Sequence, residues 1–89
     1  MKAFVTVIGH DNVGVIARVS GLCAELHINV EDVTQSILQG MFAMIMLVDL
    51  TDCETPFDEL ARFLKDKGAE RCLDIHVQRQ DIFEAMHRI

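Results

Sequence analysis

Apolar residues fall first at nearly every position, then at helical spacing, then at alternate positions, and each change of period marks a new element. Lys2–Ile8 (KAFVTVI) is β-branched and apolar on both alternations, which predicts a strand covered on both faces and so interior to a sheet. Asp11 and Asn12 supply turn and N-cap chemistry, and Val15, Ile16, Val19, Leu22, Cys23 and Leu26 follow at spacings of three and four. That spacing predicts a helix of about four turns. The small residues Ala17, Ser20, Gly21 and Ala24 lie between the large ones, where they would let the helix approach a sheet closely.

After His27 and Asn29 the pattern alternates, with Val33 and Ile37 among Glu31, Asp32, Thr34, Gln35, Ser36 and Gln39, as an edge strand should. Gln39 and Gly40 predict a hairpin turn, and Met41–Leu50 (MFAMIMLVDL) returns apolar on both sides, a second interior strand. Thr55 as N-cap, Pro56 at the first helical position and Asp58 closing a capping box open the next helix. Phe57, Leu60, Ala61 and Leu64 form its apolar stripe with Phe63 beside it, Lys65 and Lys67 suit its negative end, and Gly68 is the expected left-handed terminator. Cys72 opens a half-exposed fourth strand in which Leu73, Ile75 and Val77 alternate with Asp74, His76 and Gln78. Asp81 and Glu84 start a short last helix, about 81–89, carrying Ile82, Phe83, Met86 and Ile89.

The order βαββαβ plus a short C-terminal helix predicts an α+β, ferredoxin-like sandwich: a four-stranded antiparallel sheet with two helices on one face. Right-handed crossovers put the first and third strands in the middle, the two that apolarity marks as interior. Residues 1–89 make one domain, because separate cores need several times this length. Two helices cover one face of the sheet only, and the interior strands are apolar on both. A second copy of the chain, helped by the last helix, is the expected cover, which makes the protein a homodimer.

Composition narrows the function. Eight Lys and Arg against fourteen Asp and Glu give a net charge of −6, the wrong sign for a nucleic-acid backbone or an anionic membrane. The aromatic residues are five Phe, poor stacking partners for bases. No apolar run approaches membrane-spanning length, the N-terminus lacks the marks of an export signal, and the chain reads as cytosolic. Cys23, Cys53 and Cys72 lie too far apart to suggest a disulfide framework; Cys23 and Cys72 read as small buried hydrophobes and Cys53 as a loop thiol. The four histidines have no metal-site spacing, Asp74 and His76 make at most a weak pair, and no cofactor-binding or catalytic motif occurs, so no metal, cofactor or catalytic residue is expected.

The segment Val7-Ile8-Gly9-His10-Asp11-Asn12-Val13-Gly14-Val15-Ile16-Ala17, followed after the helix by Leu26-His27-Ile28-Asn29-Val30-Glu31-Asp32, resembles the opening of the ACT domain. The ending Ile82-Phe83-Glu84-Ala85-Met86 is similar to that of small free-standing bacterial members, and the likeness also extends to a module of the two-module glycine cleavage regulator. The resemblance implies a regulatory protein that binds a small amino acid or related metabolite, often between this loop and a neighbouring subunit, and signals to a protein partner without catalysing a reaction. A pure protein–protein interaction module is the alternative. Two departures stand out: Val13 where many ACT sequences have Pro, and His27 where Gly usually ends the helix, at a cost near ~1 kcal/mol if its φ is positive.

The loop has a physical reading of its own. The first N–H groups of a helix have no internal partner and carry the positive dipole end, so the turn through Asp11, Asn12, Val13, Gly14 and Val15 can hold a carboxylate. Gly14 would admit a ligand close to the backbone, and Asp11 or Asp32 could accept from its ammonium if the second strand begins beside this loop. His10 could bind an anion when protonated, and Asn29 is the remaining candidate contact. Each has a plainer alternative: capping for Asp11 and Asn12, close packing for Gly14, a positive-φ turn for Asn29 and a solvated loop position for His10.

Overall fold

The computed structural model describes residues 1–10 and 14–81. Its elements run β1 (Lys2–Gly9), α1 (Val15–Glu25), β2 (Asn29–Leu38), β3 (Met41–Asp49), α2 (Phe57–Ala69) and β4 (Asp74–Arg79). The strands form one antiparallel sheet in the order β2-β3-β1-β4, so the two strands apolar on both alternations are the interior ones. The expected last helix falls, beyond Asp81, outside the described residues.

Register separates the two faces. Ala3, Val5 and Val7 stand opposite Val48, Met46 and Met44, and with Phe42 and Ile75 they form the floor on which Val15, Val19 and Cys23 of α1 and Leu60 and Leu64 of α2 pack. Both helices therefore lie on one face. The opposite face carries Phe4, Thr6, Ile8, Ala43, Ile45 and Leu47 between polar edges, Asp32, Thr34 and Ser36 on β2 and Asp74, His76 and Gln78 on β4. On it Phe4 and Leu47 are half-buried and Ile45 is 41% exposed. His76 Nε2 lies 3.0 Å from Asp74 Oδ1, and among the described residues no three His, Cys, Asp or Glu side chains cluster as metal ligands would.

Gln39 (φ 52) and Gly40 (φ 81) form the two-residue hairpin, since a turn with both central residues at positive φ matches the twist of its strands. Between Val30 and Asp32 the β2–β3 register slips by one, leaving Glu31 as a bulge whose carboxylate meets Lys2 Nζ at 2.8 Å. That hydrogen bond raises the Lys2 pKa, and at the same end of the sheet hydrogen bonds from Thr51 hold Asp49 below the usual carboxylate range.

Several helix details differ from expectation. α1 has 11 residues, about three turns, and its cap position is Gly14 rather than Asp11 or Asn12. Ala17, Gly21 and Ala24 face outward, with no described residue within 4 Å of where a Cβ on Gly21 would sit, so they do not serve sheet approach. Ile16 is also exposed. α2 starts at Phe57 with Pro56 as cap and no side-chain capping bond, so Thr55 does not cap it and no Asp58 capping box forms. Gly68 lies inside α2, and the left-handed residue beyond the helix is Cys72 (φ 59), exposed and outside β4 rather than a buried strand opener.

Both helices finish the same way. Ile28 N–H donates to Cys23 O (2.9 Å) and His27 N–H to Ala24 O (3.1 Å), with His27 at φ 58. Leu73 N–H donates to Gly68 O (2.8 Å) and Cys72 N–H to Ala69 O (3.1 Å). These paired bonds close the last turn around a left-handed residue, a place glycine takes most cheaply, so His27 and Cys72 each carry a cost of about 1 kcal/mol.

Cys23, fully buried on α1, gives a pH prediction. Burial pushes its thiol up to about 11, above its value of 9.0 in the free side chain. The stability this represents is complete below the unfolded pKa and is lost as pH rises through the folded one. Urea titrations from pH 8 to pH 11 should show a loss on the order of 2 kcal/mol that Cys23→Val lacks. Equal losses in both proteins would mean that another group is responsible.

Candidate functional site

β1 ends at Gly9, and after His10 and residues 11–13 the chain enters α1 through Gly14, at φ 72 and ψ 6. This left-handed conformation explains the glycine. Among the described residues nothing lies within 4 Å of the position a Cβ would take, so close packing against them does not. Arg18 N–H makes the first bond of the helix, to Gly14 O at 3.0 Å. By helix geometry the N–H groups of Val15, Ile16 and Ala17 have no acceptor within α1, and a glycine cap offers no side-chain oxygen to them. Val15 is buried at the base of the turn; His10 and Gly14 are exposed. Asp11, Asn12 and Val13 lie outside the described residues.

Beside His10 the end of the sheet opens into a recess of about 490 Å³ with an apolar part, Ile8, Met41 and Leu73, and a polar rim of His10, Cys72 and Asp74. The backbone donors of the turn and this recess occupy the same end of the molecule.

The other two candidates do not. β1 and β2 both run antiparallel to β3, so they point the same way, and the start of β2 lies at the far end from where β1 stops. Asn29 aligns through Asp49 with Lys2, whereas the turn follows Gly9, a separation of roughly 23 Å at about 3.3 Å per residue. Asp32 aligns through Leu47 with Phe4, roughly 17 Å away by the same measure. The second strand therefore ends, rather than begins, beside the loop. Strand direction in the βαββαβ order was the signal that could have shown this. Nor is Asn29 a positive-φ turn residue: it is the first residue of β2, and His27 holds the positive φ. The Asp32 carboxylate accepts the Val33 N–H at 2.9 Å.

A family model of the ACT domain matches residues 3–78. The chain belongs to the ACT domain family. Members are regulatory domains that often bind amino acids. The chain is 48% identical, over the full length of both, to a UPF0237 protein of Listeria innocua. It superimposes on an ACT domain protein from Streptococcus pneumoniae with a TM-score of 0.85 and 37% identity, covering 94% of each chain. A putative glycine cleavage system transcriptional repressor shares the fold at 20% identity and a TM-score of 0.73; the match covers 89% of this ACT chain and 45% of that one.

Among the described residues of this ACT domain no helix is long and apolar enough to cross a membrane.

Proposed function

We propose that this ACT domain is a non-catalytic regulatory homodimer that binds a small amino acid or related metabolite at the turn between β1 and α1 and passes the signal to a protein partner. The observation that carries the reading is the glycine cap: backbone donors at a helix start, with no described residue within 4 Å of a Cβ on Gly14, suit a carboxylate. An ammonium group needs an acceptor as well; Asp11 in the turn can supply one, whereas Asn29 and Asp32 of the same chain are too far away to help.

A second copy solves this. β2 is a ten-residue edge strand whose bulge and charges are confined to its start at Glu31 and Asp32, with no Lys or Pro along it, and it exposes Val33 and Ile37 (61%) on the helix side of the sheet. Antiparallel pairing of two β2 edges brings Asn29 of the partner subunit and Asp32 of the partner subunit to the end where the turn lies. A ligand touching both subunits then favours the paired arrangement, which the protein partner reads.

Thermal-shift screening against the amino acids at millimolar concentration tests the reading. Ligand at a hundredfold excess over Kd adds about 2.7 kcal/mol, several degrees in Tm for a chain of this size. Gly14→Val and Asn29→Ala should each abolish the shift. Their mixture should restore part of it, because a mixed dimer contains one site built from the intact half of each. No stabilising amino acid would sink the sensing reading, and a mixture as inactive as its components would sink the shared site. A second reading, an interaction module without ligand, is favoured by the open sheet face around Phe4, Ile45 and Leu47; partner capture unaffected by metabolites would select it.

A further inference from the structure

α1 runs away from the end of the sheet where β1 stops, and α2 climbs back towards it, so the first turn of one faces the last turn of the other. Between the two helices is an open cleft of about 230 Å³ lined by Arg18 and Leu22 of α1, by Lys67 of α2 and by Arg71 just beyond it, with Glu25 and Glu70 as its carboxylates. Three of the eight Lys and Arg residues of a chain with net charge −6 meet here. Lys67 is occupied, 3.7 Å from Glu70 and 5.7 Å over the Phe63 ring. Arg18 and Arg71 are not: among the described residues neither has a carboxylate within 4.0 Å.

Two unpaired guanidinium groups on opposite walls of a cleft offer flat donor forks, the geometry that oxyanions accept in bidentate fashion. The positive end of α1 and the negative end of α2 meet here and offset each other, so the guanidinium groups carry the attraction. We propose that this cleft binds the oxyanion group of a small anionic molecule, phosphate or carboxylate, between Arg18 and Arg71 with Leu22 beneath it. The site is separate from the turn at Gly14, and it goes beyond the amino-acid reading in giving the domain a second input of defined charge.

The test follows the guanidinium Nε–H signals of Arg18 and Arg71 by NMR while the whole chain is titrated with inorganic phosphate in one arm and succinate in the other, against sodium chloride at matched ionic strength. Saturable shifts of both signals are expected, and the stronger arm identifies the anion class. Arg18→Gln with Arg71→Gln should weaken binding by about tenfold or more, as loss of charged hydrogen bonds does. Glu25→Gln should tighten it severalfold by removing a like charge from the cleft. Shifts that stay linear and are reproduced by chloride mean screening alone and overturn the proposal, as does binding that survives the double substitution. The cleft shares no residue with the turn, so saturable phosphate or succinate binding by a protein that no amino acid stabilises, or the reverse, tells failure here from failure of the amino-acid site.

Discussion

Leu64→Ala should cost about 2–5 kcal/mol, measured as a lower urea midpoint at an unchanged slope. Leu64 is fully buried on α2, in the single core that joins both helices to Val5, Val7, Met44 and Met46 of the interior strands. Its loss removes apolar burial and leaves a cavity that the surrounding strands, held on both sides by hydrogen bonds, collapse into poorly. A chain of this length has about 4–13 kcal/mol in total, so this one change takes a large share of the margin. The comparison must be made at one protein concentration, because the dimer proposed above would gain stability by mass action. A cost below about 1 kcal/mol would mean that the site relaxes and that α2 is not seated as described.

Gly68→Val is the second large loss, about 3 kcal/mol. A Cβ at Gly68 would stand 2.6 Å from Cδ1 and Cγ1 of Ile75 and 3.1 Å from the Leu73 carbonyl oxygen. Valine adds two further methyl groups where α2 comes down onto β4. Alanine gives the milder case: it gains up to about 1 kcal/mol of helix propensity but must displace Ile75, for a net loss of about 1–2 kcal/mol. A double-mutant cycle with Ile75→Ala separates close approach from backbone conformation. If contact with Ile75 is the reason for the glycine, the combined cost is well below the sum of the single costs. Additive costs would point to the backbone instead.

Gly68 also shows where the sequence stops being informative. A glycine after two lysines at the end of an apolar stripe has the local marks of a helix terminator, but its role is set by Ile75, a contact across two elements that no local pattern reveals. Cys72, which terminates the helix, carries no such mark. The strands were legible because burial on one or both faces writes itself directly into alternation, and Val5, Met44 and Met46 are buried as that pattern requires. The turn at Gly14 was legible from its residue types, though its positive φ was not. The separation of Asn29 and Asp32 from that turn is a matter of strand direction, and composition at each position says nothing of it.

The bulge at Glu31 has a consequence for how this strand can change. Because side chains alternate, the single unpaired residue turns Asp32, Thr34 and Ser36 to the open side and leaves Val33 and Ile37 beneath. Losing Glu31 would leave a regular ladder with Asp32 still opposite Leu47 and every face kept, whereas one further amino acid gained here without a second bulge would turn the remainder of the ribbon inside out, driving a carboxylate towards the oily interior. Length here is therefore forgiving in one direction only: the ribbon can give up its spare amino acid but cannot readily take on another.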